Sequence, residues 1–209
     1  MDDNPETWPG VITMLNGAVG KLRPEDIEEY IRLRSFVRSG MSGDRAQFER
    51  RFSACYGLNS AGLTPEFKVT YFQRLFDHRP GQSDDPYTPI LLSLYAIPRH
   101  KKDRIVAASF TSKLVAIHDE TQPLFDRHVQ AFFGMGVPTL EPVEFRIAGF
   151  VRNLRQIRTT YETWTQLPAF AEIIDRVRQA HPKLADAHPT RIWDFLVWTT
   201  GAHEAPRQS

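Results

Sequence analysis

Hydrophobic residues recur along most of this chain three and four positions apart, the period of an α-helix that buries one face. Pro24-Glu25-Asp26 opens the first clear example. Proline suits a first helical turn, and the two acids meet the positive end of the helix dipole. Ile27, Tyr30 and Ile31 carry its stripe towards Gly40. Gly43-Asp44 restarts a helix whose apolar face is Phe48, Phe52, Cys55 and Tyr56, with Gly57 suited to its end. Thr64-Pro65-Glu66 is a cap followed by proline, ahead of Phe67, Tyr71 and Leu75. Arg79 to Pro86 is rich in breakers and reads as a loop. The short apolar run from Ile90 to Ile97 fits strand or helix by pattern, and its helical neighbourhood assigns it to helix.

Val106, Phe110, Lys113 and Ile117 fall in one narrow sector of the next helix, with Asp103 placed to cap it and His118 to Pro123 ending it. Asp126 reads as the N-cap of a helix over 127–133 that ends at Gly134 and Gly136. The longest pattern runs from Pro142 to Trp164 through Ile147, Val151, Leu154, Ile157 and Tyr161. Phe170, Ile173, Ile174 and Val177 mark another helix, and Ile192 to Thr199 is apolar nearly all round, as a buried helix is. No alternation of apolar and polar residues is sustained. The chain therefore reads as all-α, with roughly eight or nine helices in a single domain over 24–200. Residues 1–23 read as a polar tail with one short helix around Val11–Val19 that Trp8 pins to the body, and 201–209 as a frayed tail.

The least ordinary feature of the pattern is Lys113, a lysine centred on the face that should pack inward. A lysine stem can pack while its ammonium reaches water or pairs with a carboxylate. Desolvation can instead lower its pKa and make it a nucleophilic amine. Asp126 has two compatible roles, as helix cap and as a carboxylate that stabilises developing positive charge on a sugar. Asp194, inside the apolar last helix, needs a partner if buried, either Lys113 or an arginine.

Composition narrows the function classes. With 26 basic and 25 acidic side chains among 209 residues, net charge is +1, so nucleic-acid binding must come from local clustering. Such a cluster precedes the Lys113 helix: Arg99, His100, Lys101, Lys102 and Arg104. A helix start with free N–H groups and a positive dipole is a natural phosphate seat, and a solvated charged turn is the bland alternative. The arginines of the long helix, Arg146, Arg152, Arg155 and Arg158, lie off its apolar stripe and read as a solvated face. Cys55 is the one cysteine, so an intrachain disulfide is ruled out, and its helical setting reads as a small core residue. No apolar run nears the ~20 residues that span a bilayer, so no membrane partner is expected and a cytoplasmic protein is the default. The histidines show no metal-ligand spacing, and zinc, Walker, dinucleotide and Gly-x-Ser-x-Gly motifs are absent. No metal or cofactor is expected.

Phe110-Thr111-Ser112-Lys113-Leu114, followed by Leu124-Phe125-Asp126-Arg127-His128-Val129, resembles a stretch of bacterial proteins with an 8-oxoguanine-glycosylase-like fold. Those proteins are relatives of the helix-hairpin-helix DNA glycosylases. The resemblance implies two helical lobes around a DNA-facing cleft, with Asp126 at the place of the glycosylase aspartate and Arg99, Lys101, Lys102 and Arg104 on phosphate. The hairpin region here, His100 to Val106, has no glycine. Counting back from Asp126 to the place of the lyase lysine reaches Ala108, so Lys113 does not inherit the Schiff-base role. The resemblance thus implies a DNA partner and base excision without a lyase step, with Lys113 and Asp126 at the centre. The competing reading is a non-enzymatic helical interaction protein in which Lys113, Asp126 and Asp194 form an architectural network.

Overall fold

The computed structural model describes residues 8–98, 104–136 and 142–204, the last three of these by backbone only. The described residues form ten α-helices and one short 3-10 turn, with no strand among them. The all-α reading holds, and the helix count exceeds the expected eight or nine. The short helix expected around Val11–Val19 is present and starts three residues earlier, as α1 (Trp8–Val19). Val11, Leu15, Ala18 and Val19 are buried on it, and it packs against α9 (Pro168–Ala180) and α10 (Pro189–Glu204). Gly10 and Gly17 weaken the helix locally, and docking of the apolar face outweighs that cost. Trp8 meets Phe170 of α9 edge to face at 6.0 Å.

α2 (Pro24–Arg38), α3 (Arg45–Cys55) and α4 (Pro65–Asp77) follow the predicted signals closely. Asp44 accepts from the Gln47 amide at the start of α3, and Thr64 accepts from the Phe67 amide at the start of α4. Phe36, Phe48, Phe52, Tyr71, Phe72 and Phe76 form an aromatic cluster among these three helices. The ambiguous apolar run is α5 (Tyr87–Tyr95). A second aromatic cluster lies where α7 (Arg127–Phe133), α8 (Val143–Gln166), α9 and α10 meet. There Trp164 stacks on Phe170 at 5.1 Å and meets Trp193 edge to face at 5.5 Å.

The helix carrying Lys113, α6 (Ala108–His118), packs against α2 and α5 beside the first cluster. Phe110 meets Tyr71 of the first cluster, whose hydroxyl donates to the Phe110 carbonyl at 2.9 Å. Every residue from Thr111 to Ile117 is buried, so this helix is enclosed all round rather than on one face. Its start differs from expectation. α6 begins at Ala108, its N-cap residue is Ala107, and no side chain caps it. Asp103, expected to cap α6, lies outside the described residues.

Candidate functional site at the start of helix 7

Asp126 is the N-cap of α7, as its sequence context predicts. Its Oδ1 accepts from the His128 amide at 2.9 Å and the Val129 amide at 3.2 Å. Two of the free N–H groups of the first turn are thereby satisfied, and the carboxylate plane is fixed relative to the helix. The other oxygen, Oδ2, lies 4.0 Å from Lys113 Nζ. That is an ion pair by charge but longer than a hydrogen bond. The ammonium donates instead to Ser109 Oγ at 3.0 Å, one turn back on α6. It also stands 5.8 Å from the ring centroids of both Tyr56 and Phe110, within cation–π range.

Both side chains are nearly but not wholly enclosed: about a tenth of each remains accessible, 10% for Lys113 and 11% for Asp126. Burial lowers the Lys113 pKa below that of an ordinary lysine, and the Asp126 charge pulls it part of the way back. Cys55 stands near enough to Lys113 to influence it, but it is exposed at the end of α3 rather than in the core as expected. The surrounding protein first, and the Glu29 and Asp26 carboxylates second, push its thiol up to about 12. The shift runs against the thiolate form, so nothing in its surroundings activates Cys55 as a nucleophile.

α10 closes the other side of α7. Gly201 makes this approach possible: a Cβ there would fall 2.9 Å from the His128 Cβ and 3.1 Å from its carbonyl oxygen. His128 also meets Trp198 edge to face at 5.3 Å.

Asp194 pairs with an arginine, not with Lys113. Arg191 Nη1 donates to it at 2.6 Å, and the Leu124 amide at 3.1 Å. The Tyr161 hydroxyl adds a third donor at 3.3 Å. Burial pushes the Asp194 carboxyl up to about 7 against the pull of Arg191. A second buried pair, Arg34 with Glu120, lies on the same side, and Tyr30 donates to the same carboxylate. Lys113–Asp126 and Arg191–Asp194 are thus two separate pairs linked through the segment between α6 and α7.

Of the four expected DNA-contacting residues, Arg99, Lys101 and Lys102 lie outside the described residues. Arg104 is described, exposed, ahead of α6. Sequence reasoning does not single out Ser109, Tyr56 or Arg191 as partners. Ser109 has a local signal, since it sits one turn from Lys113 on the same helix. Tyr56 has none, because only the fold brings α3 to α6. No group of histidines, cysteines and acids among the described residues is arranged to hold a metal ion. Among those residues no helix is long and apolar enough to cross a membrane. Comparison with protein-family models, with curated proteins and with solved structures returns no match.

Proposed function

We propose that this chain engages DNA through a glycosylase-like arrangement of two helical lobes and excises a damaged or modified base without a lyase step. One observation carries the reading: Lys113 and Asp126 meet at the start of α7, desolvated but still reachable from solvent. In this reading a flipped nucleotide enters beside the pair. Asp126 stabilises the oxocarbenium-like sugar or orients the attacking water, with its plane held by the α7 amides. Lys113 positions a phosphate or tunes Asp126, and Arg104 joins Arg99, Lys101 and Lys102 on the backbone.

A purely architectural role is the second reading, and the two amide bonds to Asp126 favour it. Asp126→Asn separates the two. Asparagine caps a helix about as well as aspartate, so the cap alone changes stability by less than about 1 kcal/mol. Under the catalytic reading the variant keeps its melting temperature within a few degrees and loses base release from duplexes carrying damaged bases. Under the architectural reading the melting temperature falls and no base release exists to lose. Binding of a short duplex should weaken steeply with added salt. Absence of duplex binding at low salt would sink the DNA reading.

A further inference from the structure

A cavity of about 610 Å³ opens on a different part of the molecule, between the end of α4, the 79–86 loop, the start of α5, and α8. Neither Lys113 nor Asp126 lines it, so any role of the cavity is independent of that pair. Four arginines line it: Arg74, Arg79, Arg155 and Arg158. Four aspartates, Asp77, Asp84, Asp85 and Asp119, balance them in formal charge. The balance hides a difference in how each sign is used.

Three of the carboxylates are already occupied by neighbours. Asp85 accepts from the Tyr87 and Thr88 amides and the Thr88 hydroxyl. Asp119 accepts from the Thr121 amide and hydroxyl and from Gln122. Asp77 accepts from Gln73. Asp84 is left, at the exposed tip of the loop. Two of the arginines are likewise engaged, Arg74 with Ser93 and Arg79 with the Phe76 and His78 carbonyls. The two on α8 are not. The Arg155 side chain makes no hydrogen bond or ion pair among the described residues. Arg158 has a 3.7 Å contact with Glu162, both groups well exposed, which stabilises little. That contact is made by Nε, which is buried and lies too far from the Glu162 oxygen for a hydrogen bond. Buried donors of this kind ordinarily have an acceptor.

Arg155 and Arg158 stand three residues apart on α8, on the same helix face. Two neighbouring guanidinium groups, neither of which makes a side-chain hydrogen bond among the described residues, suit a phosphate, which accepts from them bidentately. Pro89, Ile90 and Val115 add apolar surface to the same cavity, whose volume is that of a small-molecule site. The geometry points to this cavity as a binding site for a phosphate-bearing ligand, with Arg155 and Arg158 on the phosphate and the apolar lining against the remainder. The phosphate comes from a free nucleotide or from a nucleic-acid backbone.

Calorimetric titration of the full chain at low salt tests this with two probes, adenosine monophosphate and a short DNA duplex, on wild type and Arg155→Gln/Arg158→Gln. A loss of about fivefold or more in the affinity of the nucleotide supports the site with a free nucleotide as ligand. The same loss confined to the duplex supports it with a backbone phosphate. Binding of neither probe to wild type, or a smaller change for both, overturns it. Arg152→Gln, an exposed arginine of α8 outside the cavity, is the control. An equal loss there would reduce the effect to diffuse charge and also overturn the proposal. Arg155→Glu, at an exposed position, reverses the charge under the same thresholds should the double variant fail to fold.

Discussion

Asp194 receives three donors of different kinds: the Arg191 guanidinium, the Leu124 amide and the Tyr161 hydroxyl. A carboxylate so placed cannot be removed without stranding others. Asp194→Leu leaves the Arg191 charge buried and unpaired, and the expected destabilisation is about 3–5 kcal/mol, read from urea midpoints. Arg191→Met/Asp194→Leu removes both charges. Its loss should be smaller than that of Asp194→Leu alone, because no buried ion remains uncompensated. A double variant less stable than either single one would show that each residue contributes mainly through its other partners, Asp194 through Leu124 and Tyr161 and Arg191 through Gln122, and would contradict this expectation. At Lys113 the same physics acts on a pair that still reaches water, which is why that pair is the better candidate for chemistry.

At the scale of elements, the closest fit is α7 against α10. Gly201→Ala places a methyl group 2.9 Å from the His128 Cβ, and the His128 Cα and carbonyl oxygen at 3.1 Å prevent a simple side-chain adjustment. An expected loss of about 1–3 kcal/mol follows from such overpacking, measurable by chemical denaturation. Unchanged stability would mean that the two helices slide apart at little cost. Local signals explain which elements are legible from sequence. The caps at Asp44, Thr64 and Asp126 act over three residues, so the pattern of residues contains them whole. The start of α6 does not rest on a cap, and its buried helix shows no polar face to mark the boundary. The helix within the first 23 residues is legible from its apolar positions, but its place in the core is not, because its stabilising partners lie on α9 and α10 at the far end of the chain. The candidate site divides the same way. Asp126 and Lys113 are visible in the sequence one at a time. Their meeting beside Tyr56 depends on tertiary packing.

For the molecule as a whole, acid should be destabilising through its partly buried histidines. Burial first, and the neighbouring His78 second, push His118 down to about 4. His118 and the Leu75 carbonyl are 2.9 Å apart, and the His78 ring lies 5.1 Å away. The unfolded chain takes up this proton near pH 6.5, and the folded chain refuses it until about 4. The His118 contribution is therefore fully present above pH 6.5 and is lost as pH falls towards 4. The full loss is on the order of 3 kcal/mol. His78 and His188 shift in the same direction, also by burial. Asp194, raised, works oppositely over part of that range. The comparison that isolates His118 is the fall in urea midpoint between pH 7 and pH 4.5 in wild type and in His118→Gln. A smaller fall in the variant is expected, and equal falls would contradict the assignment.

The segment between α6 and α7 has a further consequence. Its backbone is irregular, yet its amides are held by side chains of the surrounding helices: Leu124 by Asp194, Phe125 by Ser112. Its Gln122 carbonyl accepts from Arg191, and Pro123 between them has no N–H to satisfy. Most connections tolerate a change of length because they run over the surface with water as their partner. Here one inserted residue would move Leu124 and Phe125 off their acceptors together and turn Asp126 away from its helix. The number of residues from His118 to Asp126 is thus as much a part of the site as the residues themselves.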